Sequence, residues 1–200
     1  DQSRPGYLSM GWEVVGKVPV GLAVASPRGV IRLREARTAA RKWSEPTEAG
    51  RDAAEVLADD TALAALLATV DTGAGLRTRR SPRQLRWRYA EGPVRYRVRT
   101  LGRDPAEGLA VFRLRRRGRS LEAVVAELLV PAGTASRASR RLVGAILREA
   151  RPDHLLVACP DGRAIRGLAV RVPGLGPTLT SRPLANPYRP SLGEWNLEMG

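Results

Sequence analysis

The sequence predicts an α/β (α+β) fold: a mixed, mostly antiparallel sheet flanked by helices. Three stretches carry that expectation. "VRYRVRTLG", residues 94 to 102, alternates apolar and basic residues with the period of two that one half-buried strand face requires. "SLEAVVAELLVP", residues 120 to 131, is apolar on both parities, as a strand covered on both faces must be. "SRASRRLVGAILREA", residues 136 to 150, places Ala138, Leu142, Ile146 and Ala150 on one stripe four residues apart, the pattern of a helix lying on a sheet.

The bulk properties bound the rest. The chain of 200 residues, 43% of them hydrophobic, suffices for one ordinary domain with a core, or for one domain and part of another. No run of about 18 uninterrupted apolar residues and no signal-peptide pattern occurs, which points to a cytoplasmic protein without a membrane partner. Cys159 is the only cysteine and His154 the only histidine. A disulfide framework and a closed four-ligand Cys/His metal site within one chain are therefore both excluded, and Cys159, in the apolar run "HLLVAC", reads as a buried thiol. The net charge of +14 suits an anionic partner. However, the basic residues are nearly all arginine in an Ala, Gly, Leu and Pro-rich background, which a GC-rich coding sequence produces by itself. The few aromatic residues also do not interleave with the arginines as stacking platforms, so composition argues against nucleic acid.

In chain order, "GWEVVGKVPV" reads as a short strand pair or a bent strand, and "VIRLREARTAARKW" as a basic, weakly amphipathic helix. "SEPTEAGRD" breaks it and marks a boundary. "AAEVLADD" is a short strand candidate. "DTALAALLATVD" opens with an Asp able to cap a helix whose Leu63, Leu66, Leu67 and Val70 face inward, and Ser81 with Pro82 starts a second helix. The strand from Val94 then turns at "RDPAEG" into "LAVFRLRRRG", a hairpin that would crowd Arg95, Arg97, Arg113 and Arg115 on one face, with Glu91, Glu107 and Glu122 as neighbours able to relieve them. After the third strand and the long helix come a buried strand "DHLLVACP", in which His154 caps or packs, a short helix "GRAIRGLAV" capped by Asp161, and closing strands "GPTLTSRPL" and "EWNLEMG".

Strand, two helices, three antiparallel strands, helix, strand, helix, two strands: from about Ala53 onward this succession resembles the Gcn5-related N-acetyltransferase (GNAT) superfamily. "LRWRYAEGPVRYRV" and "EGLAVFRLRRRG" look like the second, degenerate half of its tandem members. In that superfamily the fourth helix ends in Tyr, three residues, Gly and an aromatic, and Tyr7, Gly11 and Trp12 in "PGYLSMGW" keep this spacing. The resemblance thus implies three parts: residues 1–25 as the last helix turn and closing strands of a preceding GNAT domain, 26–50 as a linker helix and loop, and 51–200 as a second GNAT-like domain.

The chemistry so implied is transfer of an acetyl group from acetyl-CoA, a co-substrate, to an amine-bearing substrate that these residues do not identify. The preceding GNAT domain of the same polypeptide would be the partner. Pyrophosphate in such enzymes sits on a Gly-containing loop at the positive end of the third helix, here "PAGTASRASRR", so Gly133, Thr134, Arg137, Arg140 and Arg141 are the cofactor-binding candidates. Arg140 stands where the superfamily places Gly, and "GRAIRGLAV" lacks the terminal Tyr that would protonate the leaving thiolate. This half therefore reads as the supporting or substrate-selecting domain, inactive alone, with Tyr7 as the catalytic candidate belonging to the first. The alternative is a non-catalytic, GNAT-shaped module that binds an anionic partner, either nucleic acid or an acidic ligand.

Overall fold

The computed structural model describes residues 4–34, 38–70, 73, 75–158, 165, 168–184 and 188–197. Its elements, in chain order, are α1 (Arg4–Ser9), β1 (Glu13–Lys17), β2 (Val20–Val24), α2 (Pro27–Arg32), β3 (Arg51–Asp52), α3 (Ala53–Val56), α4 (Asp60–Thr69), β4 (Leu76–Arg77) and α5 (Pro82–Tyr89). There follow β5 (Arg97–Thr100), β6 (Leu109–Arg117), β7 (Ser120–Leu129), α6 (Ala135–Ala150), β8 (His154–Ala158), β9 (Val170–Arg171), β10 (Thr178–Ser181) and β11 (Trp195–Asn196). The fold is a mixed, mostly antiparallel sheet flanked by helices, as the hydrophobic pattern requires.

The main sheet has seven strands in the order β3-β5-β6-β7-β8-β2-β9. Every neighbouring pair is antiparallel except β7 and β8, which run parallel from Glu122↔His154 to Val125↔Val157. A parallel pair needs a crossover, and α6 provides it. α6 lies on one face, where Ala138, Leu142, Val143 and Ile146 pack on Phe112, Leu114, Val125 and Leu155. The opposite face is covered by α3, α4 and α5, whose Val56, Leu63, Leu66, Leu85 and Tyr89 pack on Val98, Val111, Ala126 and Leu129. Each fully buried leucine of these layers contributes about 2 kcal/mol of apolar transfer.

A bulge sets which face receives which side chain. The β6–β7 register runs Phe112↔Val125 and then Val111↔Glu127, so Ala126 is an extra residue. The inserted residue reverses the parity of β7 beyond it, and Glu127, which simple alternation would aim at α6, faces α5 instead.

Four sequence expectations change. "AAEVLADD" is not a strand: pairing is confined to Arg51 and Asp52, and the Asp52 carboxylate accepts a bond from Ala54 N at 2.8 Å, starting α3 in a run of good helix formers. The helix expected over residues 30–43 stops after α2, where residues 38–45 instead take up the edge of β6 that β5 leaves open. Arg41 N donates to Arg116 O at 2.7 Å and Glu45 N to Leu114 O at 2.8 Å. The arginines of the hairpin do not share a face, because Arg97 opposes Phe112 and points to the α6 side, whereas Arg113 and Arg115 point to the other. Finally, Val20–Val24, expected as part of a preceding unit, is the sixth strand of the sheet that residues 51–200 build. It pairs with β8 over five residues and with β9 on its other edge, while β1 pairs with β10. The division after residue 25 therefore does not coincide with a break in the sheet: β2 covers the open edge of β8 and adds Val20 and Ala23 to the buried residues.

α5 starts as expected, with Ser81 Oγ accepting from Gln84 N at 3.2 Å and Pro82 in the first turn. Cys159 and Asp161 lie outside the described residues, as does the "GRAIRGLAV" segment apart from Ile165 and residues 168–170. No described helix is long and apolar enough to cross a membrane.

Candidate functional site

Two arginine-rich centres stand out, and their surroundings differ. The first is at the far end of the β6–β7 hairpin. Glu122 on β7 lies opposite Arg115 across β6 and opposite His154 across β8, and it is fully buried. Arg115 Nε donates to one carboxylate oxygen; Arg117 Nε, at 2.6 Å, and His154 Nε2, at 3.1 Å, donate to the other. Ser120 Oγ meets His154 Nδ1 at 3.2 Å. Burial alone would raise the Glu122 pKa, but the His154 hydrogen bond and the charges of Arg115 and Arg117 outweigh it and hold the carboxyl at about 2 against an ordinary 4.5. Burial lowers Arg115, and Glu122 opposes that. Serine, histidine and glutamate thus lie in hydrogen-bonded series, yet all three are fully buried, out of a substrate's reach, so the group reads as architecture. His154 packs, as its place before an apolar strand suggested.

The remaining hairpin arginines are also engaged. Arg116 Nε lies 3.3 Å from Glu45, and Arg113 Nη1 donates to Lys42 O at 3.1 Å.

The second centre follows β7. Val70, at the end of α4, bridges to Pro131 and fixes the start of the loop. A 3₁₀ turn over Ala132–Thr134, closed by Thr134 N donating to Pro131 O at 3.1 Å, then feeds directly into α6. Thr134 occupies the N-cap position with ψ 5, so its hydroxyl does not reach the first turn, and that turn contains no acid. The positive end of a sixteen-residue helix is therefore left without a capping side chain. Along its flank Arg137, Arg140, Arg141 and Arg148 line an open cleft of about 660 Å³ whose other wall comes from Arg99, Thr100 and Leu101 at the end of β5. Arg99 Nε lies 3.1 Å from Glu149. None of the four α6 arginines meets a carboxylate among the described residues.

The structure thus brings Arg137, Arg140 and Arg141 together. Gly133 and Thr134 precede them on the exposed turn and do not line the cleft; a Cβ on Gly133 would meet nothing, so no close approach within the protein dictates glycine there. Tyr7 is elsewhere. It sits on α1, 42% exposed, edge-on to Trp12 with ring centroids 5.7 Å apart, and it is not part of the cleft.

Sequence reasoning passed over a third polar group, where the bulge turns Glu127 toward α5. Its carboxylate accepts from the Tyr89 hydroxyl at 2.9 Å and from Arg80 Nε at 2.8 Å. Burial first, then the Glu127 charge, push the Tyr89 phenol well above its ordinary range, so it remains a donor at any physiological pH. No group of three His, Cys, Asp or Glu among the described residues is placed to hold a metal ion. Comparison with family models, curated proteins and solved structures finds no match to the chain.

Proposed function

We propose that this chain is the supporting or substrate-selecting half of an acyl-CoA-dependent N-acetyltransferase, and that its own contribution is to hold the phosphates of acetyl-CoA at the start of α6. The observation that carries the proposal is the set of arginines without carboxylate partners at the uncapped end of α6, at the loop after β7 where the GNAT resemblance places pyrophosphate. The run of three antiparallel strands, helix and strand from β5 to β8 is the part of that resemblance which supports the reading; ahead of it stand three helices and the short β4.

The residues fit a diphosphate. Guanidinium groups offer paired N–H donors matched to phosphate oxygens, and the helix dipole adds roughly half a positive charge at the same end. Arg140 takes the place of the superfamily glycine and lines the cleft, so phosphate is met here by guanidinium side chains. Bound acetyl-CoA supplies the acyl thioester that an amine attacks. Arg137, Arg140 and Arg141 fix its position, and Arg99 and Arg148 extend the positive wall. Tyr7, outside the cleft, takes no part in that holding, and the chain alone is expected not to turn over.

Calorimetric titration of the chain with acetyl-CoA tests this. Stoichiometric, salt-sensitive binding that Arg137→Ala weakens about tenfold is expected. Absence of binding overturns the cofactor role. The alternative, a non-catalytic module for an anionic partner, draws on the same unpartnered arginines, which do not by themselves select one polyanion. Tight binding of a nucleic-acid duplex with a steep salt dependence, together with no affinity for acetyl-CoA, decides for it.

A further inference from the structure

From the opposite end of α6 we infer a second binding site, for a small organic anion carrying an apolar arm, which is independent of the acetyl-CoA proposal. An open groove of about 570 Å³ lies there between α6 and the β2–α2 connection. Val24, Leu147, Pro152 and Leu168 give it apolar walls, and Arg148 and Arg151 supply the charge.

Three features say that these arginines face a ligand. First, no acid among the described residues answers them. Neither meets a carboxylate among the described residues, and the two acids nearest in sequence are engaged elsewhere: Glu149 with Arg99 at 3.1 Å, and Asp153 with Arg32 at 3.0 Å and with Leu121 N at 2.8 Å. Second, Arg151 ends the helix at φ 46 and ψ 48, the only non-glycine residue with positive φ among those described. Glycine or asparagine occupies that left-handed position at lower cost. Basic residues at a helix C-terminus offset its dipole, which accounts for their charge but neither for arginine at the strained position nor for the groove beside it. Third, Ser26 lines the same groove, and its Oγ accepts from Gly29 N at 3.2 Å as the cap of α2. The hydroxyl hydrogen is thus left to donate. Gly29 holds that wall in place, since a Cβ there would stand 2.0 Å from the Asp153 carbonyl oxygen.

The ligand class follows from what the walls offer. Two planar guanidinium groups and a hydroxyl suit a carboxylate, sulfonate or phosphate head, and the roughly half negative charge of the helix end is outweighed by their two positive ones. The apolar walls suit an alkyl or aryl arm. Gly144, Arg148 and Leu168 line both this site and the first cleft, so the two are contiguous along α6, and Arg151, Ser26 and Pro152 belong to this one alone.

The test uses the whole chain with anilinonaphthalene sulfonate as fluorescent probe and octanoate as competitor. The chain should enhance the probe's fluorescence, and octanoate should reverse that enhancement at concentrations where acetate does not. Arg151→Gly relieves the left-handed strain, so its Tm should equal or exceed that of the parent while its octanoate affinity falls about tenfold. Arg148→Ala should also weaken octanoate, and Arg137→Ala should leave it unchanged. Octanoate affinity unaltered in Arg151→Gly overturns the site, as does acetate competing as well as octanoate. A loss in Arg137→Ala equal to that in Arg151→Gly would place the anion in the other cleft and overturn it equally.

Discussion

The arginines of the β6–β7 hairpin and those of α6 are alike in sequence and opposite in circumstance. "RLRRRGR" and "SRASRR" are both basic runs that any charge count would treat as solvated or as landing sites for an anion. In the hairpin, Glu122 sits between Arg115 and Arg117, Glu45 reaches Arg116, and the chain at Thr38 and Lys42 offers carbonyl oxygens to Arg117 and Arg113. Along α6, Arg137, Arg140, Arg141 and Arg148 face open cleft with no carboxylate among the described residues. The difference lies in the topology. β7 is flanked by β6 and β8, so one acid on it meets two arginines of β6 and a histidine of β8, whereas one flank of α6 has no such neighbour. Charge becomes architecture where the sheet supplies a partner and remains available for binding where it does not.

Removing the partner should give the largest effect. Glu122→Ala leaves Arg115 and Arg117 facing a buried void and His154 without its acceptor, and a loss of about 3–5 kcal/mol in urea unfolding is expected. A loss below about 1 kcal/mol would mean that water reaches these arginines and that the contrast with α6 is false. The same group sets the acid limit. The folded pKa of Glu122, about 2, lies below its ordinary 4.5, so its contribution is fully present above the unfolded value and is lost as pH falls from about 4.5 toward 2. The parent chain should lose stability through that window, and Glu122→Gln, already deprived of the charge, should show a flatter acid limb in thermal melts.

How much of this contrast could be read beforehand depends on how far the partners lie apart in sequence. Ser81 with Pro82, the hairpin about "RDPAEG" and the stripe on α6 carry their signals within a few residues, and all three form. Glu122 was visible as a neighbour of the hairpin arginines because it is seven residues from Arg115. Its bond to His154 spans 32 residues and depends on β8 lying parallel beside β7, which no local pattern states. Nor does anything within "VGLAV" tell that it will slot between β8 and β9, since those partners lie 130 residues or more away in sequence. In the candidate site, Arg137, Arg140 and Arg141 were legible from the loop-to-helix pattern. Arg99 and Arg148, which complete the cleft, were not: one comes from another strand, and the other reads as an ordinary charge in a last helical turn.

The Ala126 bulge gives the next effect in size. Tyr89→Phe removes a buried hydroxyl that donates to the Glu127 carboxylate and leaves Arg80 as the remaining donor described above, so a loss of about 1–3 kcal/mol is expected in urea unfolding. Deleting Ala126 closes the bulge and leaves Phe112 opposite Val125 and Val111 opposite Glu127, so Glu127 keeps its facing toward α5 and the Tyr89 bond survives. The expected cost is that of the lost Ala126 side chain and the straightened strand. Tyr89→Phe should therefore cost the same in the deletion variant as in the parent, and a Tyr89→Phe change without cost there would show that Glu127 had left the α5 face.

The smallest change in stability should come from the other member of the comparison, and it is the most informative for function. Arg140→Ala and Arg141→Ala remove charges that crowd the positive end of α6 and that meet no carboxylate among the described residues. Alanine is also the better helix former, and neither arginine is buried. Both variants should therefore unfold within about 0.5 kcal/mol of the parent, or slightly above it, at low salt. Each should nevertheless lose about tenfold in affinity for acetyl-CoA, because a charge-assisted bond to phosphate is what the guanidinium contributes. A residue that weighs nothing in the fold and much in the ligand is a binding residue. Equal losses in both measurements would instead make these arginines part of the scaffold, and the two basic runs would then be alike after all.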